Sequence, residues 1–452
     1  MVEAMDAALK LPMGPRGHWL VGNLPDFRRG RLDFFTHCAR TYGDAVALRF
    51  AHRRLLLLSH PDLIEEVLVT QARNFIKHFA LRQTPYLLGK GLLTSEGDFW
   101  LRQRRLIHPV FSRSRIASYG PAMVGAARQV TDSWQAGEKR DIMAEMMKLT
   151  LAIAAKTLFD AEVGGETRVV AECLQTLQAN FIARFNSALP PPMWLPTPGN
   201  RRHKQAVRRL DEILYGFIRQ RRDQKTERND LLSLLLAARD EQGGKMTDRQ
   251  VRDEAMTLFL AGHETTALAL AWAWYLLAQH PEAEEKLAAE VRSVVSNRDP
   301  TADDCPNLKY TEMVALEAMR LYPPAYVIGR EALADCGIGG YRVRRGTTVF
   351  LCQWVVHRDP RFFAEPERFQ PERWREESIK SLPKFAYFPF GGGPRLCIGN
   401  TFAMMELVLA LAAIAQRFHF RMPAGTQVRA DPEFTLRPSP GIPGEIVPRL
   451  HS

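Results

Sequence analysis

Apolar positions change their period several times along the 452-residue chain. Ala45–Phe50 and Arg54–Leu58 are β-prone runs on either side of Ala51-His52-Arg53, and they predict a hairpin. From about residue 61 to residue 330 apolar residues recur at helical spacing, so this stretch is expected to be overwhelmingly helical. Two breakers interrupt it: Leu189–Asn200, with five prolines in twelve residues, and Gln242-Gly243-Gly244-Lys245. Strand signals return at Gly340–Leu351, where Arg344-Arg345-Gly346 supplies a turn. They appear again at Phe434–Arg437 and Ile446–Arg449, a final strand pair flanking the Pro/Gly-rich Pro438–Gly444.

Within the helical region a Thr247-x-x-Gln250 capping box opens a long helix expected to end near Gln279. A second apolar helix is predicted over Phe402–Ile414. Arg201–Arg228 carries ten Lys/Arg against four Asp/Glu, with Val207, Leu210, Leu214 and Phe217 at helical spacing. That pattern is an amphipathic helix with a basic outer face, and a solvated face explains it better than a membrane or nucleic-acid surface. The longest apolar runs, Ala267–Ala278 and Leu407–Ala415, fall short of the ~20 residues needed to span a bilayer. Met1–Lys10 carries Glu3 and Asp6 and lacks the apolar stretch of a signal peptide. A soluble, cytoplasmic protein without a transmembrane anchor is expected.

Composition narrows the class further. Apolar residues make up 46% and charged residues 25%, which is globular and excludes a disordered or fibrous chain. The net charge of +11 permits an acidic partner without choosing one. Six scattered cysteines without a Cys-x-x-Cys pair argue against a disulfide framework. No repeat or linker is evident. Length alone suggests three domains.

The most informative stretch is Phe390-Gly391-Gly392-Gly393-Pro394-Arg395-Leu396-Cys397-Ile398-Gly399. It lacks the third glycine of a dinucleotide fingerprint and the Gly-Lys-Ser/Thr of a phosphate loop. What remains is a cysteine in a glycine-rich loop just before a helix, an arrangement that favours a negative sulfur as a ligand. Likewise, His263-Glu264 lacks the second histidine of a zinc-protease helix, since residue 267 is alanine.

Phe390-x-x-Gly393-x-Arg395-x-Cys397-x-Gly399 resembles the haem-binding signature of the cytochrome P450 haem-thiolate monooxygenases. The resemblance extends over essentially the whole chain. It implies a mainly α fold with small β-sheets, a long central helix over the haem and the cysteine loop beneath it. It also implies haem b (iron protoporphyrin IX), with Cys397 as axial iron ligand, Phe390 shielding the sulfur and Arg395 pairing with a propionate. Glu317-x-x-Arg320 resembles the family's Glu-x-x-Arg helix, with Arg373 as third member in preference to Arg368 of the decoy Pro366-Glu-Arg-Phe369. Ala261-Gly262-His263-Glu264-Thr265-Thr266 resembles the oxygen-activation segment. Ala261 and Gly262 would let haem and O2 approach, while Glu264 and Thr265 would be the catalytic acid–alcohol pair. Trp100 and Arg104 resemble the propionate-binding helix, and Arg330 stands where a strand arginine contacts the other propionate.

Because these residues span positions 100 to 397, a single haem domain over 1–452 replaces the three-domain prior, with 1–17 as a lead-in. The implied reaction is hydroxylation or epoxidation of a lipophilic small molecule, a fatty acid or terpenoid, with O2 and two electrons. A peroxygenase using H2O2 and a non-catalytic haem sensor are the alternatives. Thr257, Ala261, Tyr326 and Val327 are candidate pocket residues, and Asn74–Leu93, Leu189–Asn200 and Pro438–Gly444 are candidate pocket loops. No flavin or iron–sulfur module is visible, so a separate ferredoxin or flavodoxin with its own NAD(P)H reductase is expected. Arg102, Arg105 and Lys384 are candidate docking residues. A monomer without nucleic-acid partners is expected.

Overall fold

A computed structural model of the chain describes residues 9–82, 85–160, 165–186, 191–223 and 230–449. The strands that organise it are β1 (Ala45–Phe50), β2 (Arg53–Leu58), β3 (Phe75–Lys77), β4 (Lys139–Asp141), β5 (Ile328–Ala332) and β6 (Cys336–Ile338). They continue with β7 (Tyr341–Val343), β8 (Thr348–Leu351), β9 (Phe418–Arg421), β10 (Arg429–Pro432), β11 (Leu436–Ser439) and β12 (Pro443–Pro448). The helices that position the site are α1 (Gly97–Ile107), α2 (Ile142–Phe159), α3 (Gly165–Asn186) and α4 (Pro198–Asp223). After them come α5 (Asp248–Gln279), α6 (Lys309–Leu321) and α7 (Asn400–Ala415).

The hairpin forms in the expected place, with Ala45 opposite Leu58 and Phe50 opposite Arg53. Leu55–Leu58 are all buried because the sheet continues beyond the hairpin. β2 runs parallel to β8, β8 antiparallel to β5, and β5 antiparallel to β3. The helical expectation for 61–330 misses β3 and β4, three-residue strands too short to show a period. Their partners, β5 and β12, lie far downstream. The strand signal at Gly340–Leu351 splits: β7 pairs with β6, while β8 joins the five-stranded sheet. The final strands differ from expectation in the same way. β11 pairs with β10, and β12 pairs with β4 and β9, so the two expected partners do not meet. Pairing of this kind is set by distant segments and leaves no local mark.

Helix α5 runs 32 residues, and both halves of its Thr247/Gln250 capping box are present. It is the axis of the core: α2, α6 and α7 pack along it, with Ala267–Leu270 and Trp272 close to fully buried. α7 begins two residues earlier than expected and is buried from Met405 to Ala415. In α4, Leu210, Leu214 and Ile218 are buried while Arg201, Arg202, Lys204, Arg208 and Arg209 are exposed, an amphipathic helix with a solvated basic face. Its expected continuation to Arg228 lies outside the described residues, as do parts of the pocket loops 74–93 and 189–200 and the first eight residues of the lead-in. Among the described residues, no helix is long and apolar enough to cross a membrane. All six cysteines are free.

Candidate active site

The cysteine loop is shaped by glycines. Gly391 and Gly393 have φ of +74° and +65°, a region that side chains strain to enter. At Gly393 space adds to strain, because a Cβ there would lie 1.8 Å from the Leu68 carbonyl oxygen. The loop closes when the Cys397 N–H donates to the Phe390 carbonyl at 3.0 Å, and α7 starts just beyond Gly399.

Cys397 keeps accessible surface. Burial pushes its thiol pKa up, against the opposing pull of the Gly399 N–H and the Arg104 guanidinium. The sequence suggests that helix and glycines favour a negative sulfur. Here desolvation outweighs them, and a coordinated metal ion would be what holds the sulfur deprotonated. A second patch of accessible surface interrupts the buried helix α5 at Ala261 and Gly262. A Cβ on Gly262 would meet nothing within 4 Å.

Beside the loop is a cluster of cations, of which Lys77 and Arg330 are buried and Arg104 and Arg395 partly exposed. The Arg395 guanidinium lies 4.2 Å from the Trp100 ring centre, with Arg104 at 5.9 Å and the Lys77 ammonium at 6.0 Å. Arg395 pairs with Glu96, whose other oxygen accepts from the Lys77 backbone N–H. Arg104 donates to the Leu396 carbonyl at 2.8 Å, tying α1 to the cysteine loop. Arg330 is 8% exposed and bonds its neighbour's carbonyl, that of Gly329. Burial and the nearby Arg395 charge lower Lys77 to about 7 and Arg330 to about 10. Among the described residues, Arg395 Nη1, His78 Nδ1 and Ser95 Oγ are buried without a hydrogen-bond partner. Such a cluster is costly unless anions join it. Haem brings two propionates and needs one axial sulfur, so the residues present fit it.

On α5, Glu264 and Thr265 adjoin in sequence and keep different company. Glu264 Oε1 accepts from Gln178 Nε2 at 3.0 Å, Thr435 Oγ1 at 2.7 Å and Arg437 Nε at 3.1 Å. The Thr265 hydroxyl donates to the Ala261 carbonyl at 2.6 Å, one turn back.

Glu317 is fully buried, and its two oxygens collect four side-chain bonds. Arg320 supplies two at 2.8 Å, Arg373 one at 2.9 Å and Trp374 one at 2.9 Å. Arg368 instead pairs with Glu365 and offers Glu317's partners its backbone carbonyl. The structure thus brings Glu317, Arg320 and Arg373 together.

Two expectations change. Tyr326 is 4% exposed and donates its hydroxyl to the Glu433 carbonyl at 2.8 Å, while Val327 packs with Tyr326 and Trp354. Both brace the sheet edge. Thr257 is likewise buried, back-bonded to the Asp253 carbonyl. Of the four candidate pocket residues, Ala261 alone is exposed. The docking patch also loses its free charge: Arg102 pairs with Asp240 at 2.7 Å, Arg105 with Glu241 at 3.8 Å and Lys384 with Glu65 at 3.7 Å.

Lys77, His78, Glu96, Thr435 and Arg437 escape sequence reasoning. Each lies on a loop or short strand with no motif, and tertiary placement alone gives it meaning. Gln178 lies on helix α3, where its helical position gives no sign of its bond to Glu264.

Comparison with known proteins follows the same lines. Residues 12–443 match the family model described as cytochrome P450. Cyclooctatin synthase of Streptomyces melanosporofaciens is 38% identical over 434 residues, covering 95% of this chain and 94% of that protein. Pentalenene oxygenase of Streptomyces avermitilis is 32% identical over 426 residues, covering 93% and 91%. The crystal structure of the cytochrome P450DA heme domain superposes with a TM-score of 0.90 at 29% identity, covering 98% of both chains. Fold, cysteine loop and homology agree: the chain belongs to the cytochrome P450 family of haem-dependent monooxygenases.

Proposed function

We propose that this P450 carries haem b on Cys397 and hydroxylates a cyclic terpene hydrocarbon or a similar lipophilic terpenoid, drawing electrons from a separate ferredoxin or flavodoxin. The observation that carries the reading is the accessible Cys397 beside a partly buried cation cluster rich enough to hold two carboxylates. The bound haem supplies the activation of O2 and the oxidation of an unactivated C–H bond. Arg395, Arg330, Arg104 and Trp100 would hold its propionates, and Phe390 would shield the sulfur. Glu264 and Thr265 move protons into the site: the carboxyl of Glu264 exchanges them with the Thr435 and Arg437 side, and the Thr265 hydroxyl orients them. Ala261 and Gly262 leave room for substrate and O2. Glu317, Arg320 and Arg373 fix the segment that leads to the cysteine loop.

The substrate class is supported by relatives whose names specify pentalenene and cyclooctat-9-en-7-ol. We propose further that the chain acts as one haem domain, as a cytoplasmic monomer.

The test is a spectral titration with a panel of cyclic terpenes, fatty acids and steroids, followed by turnover with a ferredoxin and its reductase. A terpene should displace iron-bound water and be hydroxylated with NAD(P)H consumption. Tight binding of fatty acids alone contradicts the substrate class. Faster turnover with H2O2 than with the electron-transfer chain favours the peroxygenase alternative, and binding without turnover in either system favours the sensor.

A further inference from the structure

The backbone of one residue, Leu92, is held at its carbonyl and at its N–H by two buried ionisable side chains. The Leu92 carbonyl accepts from Lys77 Nζ at 2.7 Å, and the Leu92 N–H donates to Glu254 Oε2 at 2.8 Å. Lys77, on β3, is 5% exposed, and Glu254, on α5, is fully buried. Each has a second anchor: Lys77 Nζ donates to the Ser95 carbonyl at 2.7 Å, and Glu254 Oε1 accepts from Gln103 Nε2 at 3.1 Å. The preceding residue, Asp253, accepts from the Lys90 N–H at 2.9 Å.

The same segment lies tight against α5. A Cβ on Gly91 would fall 2.1 Å from Thr257 Oγ1 and 2.6 Å from the Asp253 carbonyl oxygen. Thr257 precedes Ala261 by one helical turn, so this loop covers the face of α5 that carries the accessible Ala261. Its other end, Ser95 and Glu96, enters the cation cluster around Trp100 and Arg395.

Two buried ionisable groups are an expensive way to satisfy the backbone of one residue. Neutral groups would meet its hydrogen-bonding needs, and taking an ion out of water costs several kcal/mol. Burial pushes Lys77 down to about 7 and Glu254 up to about 7. In either protonation state the nitrogen still donates and a carboxyl oxygen still accepts, so the grip persists.

We propose that Lys77 and Glu254 are positioning residues that clamp the 89–96 loop as a wall of the reaction site, and so set which ligands fit beside the haem. The proposal rests on the reading of the Ala261 face as the reaction site. It deepens that reading by naming a specificity determinant.

The test uses the holoenzyme and the variants Glu254→Ala, Glu254→Gln and Lys77→Met. Two readouts are taken: amide hydrogen exchange of the 89–96 peptide, and spectral dissociation constants for clotrimazole, which is bulky, and imidazole, which is small. Glu254→Ala and Lys77→Met should each speed exchange in 89–96 by about tenfold or more. Each should weaken clotrimazole by roughly fivefold or more while imidazole stays within about twofold. Glu254→Gln, which keeps an acceptor for the Leu92 N–H, should stay near wild type in both. Unchanged exchange overturns the clamp, and faster exchange with an unchanged clotrimazole-to-imidazole ratio overturns the specificity role. If one variant fails to fold, the other reads the same peptide from the opposite side. Loss of azole binding by the wild type would instead strike at the haem reading, and exchange would still report on the clamp.

Discussion

Glu264 and Arg437 form an ion pair at 3.0 Å, joining the middle of α5 to strand β11 across 173 residues of sequence. The pair fixes the Glu264 carboxylate away from the Thr265 hydroxyl, which is held on the Ala261 carbonyl. The carboxylate itself is 22% exposed and its Arg437 partner 24%, so it can meet water on one side and the site on the other.

Replacing that carboxyl should therefore slow proton delivery and leave ligand binding intact. Glu264→Gln is expected to lower turnover by roughly 10²-fold, the usual scale of general acid–base assistance. Thr265→Ala is expected to waste reducing equivalents as peroxide. Steady-state rates and product formed per NAD(P)H consumed check both. An unchanged product yield in Thr265→Ala, or unchanged turnover in Glu264→Gln, removes the residue from the relay.

Gly393 tests the cysteine loop without touching its chemistry. Alanine at φ +65° adds strain of about 1–3 kcal/mol, and its Cβ collides with the Leu68 carbonyl. Gly393→Ala should lower the melting temperature and the haem content together, as read by calorimetry and the haem-to-protein absorbance ratio. Wild-type values for both would show that the loop has more room than the structure gives it.

The buried carboxylate of Glu317 makes a stronger demand. Glu317→Ala leaves the Arg320 guanidinium, itself fully buried, without its counter-charge, a loss of about 3–5 kcal/mol. Denaturant unfolding of the purified variant measures it. Arg368→Ala, on the decoy, should be close to neutral.

Local pattern and long-range pairing divide what the sequence reveals. The hairpin at 45–58, the capping box at Thr247 and the apolar run of α7 are local, and they are readable because period and cap chemistry reside in neighbouring residues. The cysteine loop is readable for a different reason: its glycines are required by backbone angles within ten residues. The strands β3 and β4 are not readable, since three residues carry no period and their partners are hundreds of positions away. Lys77, Glu96 and Arg437 fail likewise, because a lone charged residue looks like solvated surface until folding buries it. Tyr326 shows the same limit: nothing local in the sequence marks the backbone carbonyl of Glu433 that accepts from its hydroxyl.

Stability should depend on pH through buried imidazoles. His263 and His78 are each lowered from 6.5 to about 4, chiefly by burial. Between those values the unfolded chain binds protons that the folded chain refuses. Stability is thus full above about pH 6.5 and falls as pH drops towards 4. His263→Phe should reduce the slope of unfolding free energy against pH by up to about 1.4 kcal/mol per unit in that window. Urea titrations at pH 4.5, 5.5 and 7 give the slope, and parallel curves for the two proteins would contradict it.

The central claim is that Cys397 binds the haem iron, and the spectrum of the reduced carbonyl complex tests it most directly. The wild type should show the red-shifted Soret band of a thiolate haem, and Cys397→His should retain haem and lose that band. Persistence of the band in Cys397→His, or its absence from the haem-loaded wild type, contradicts the account.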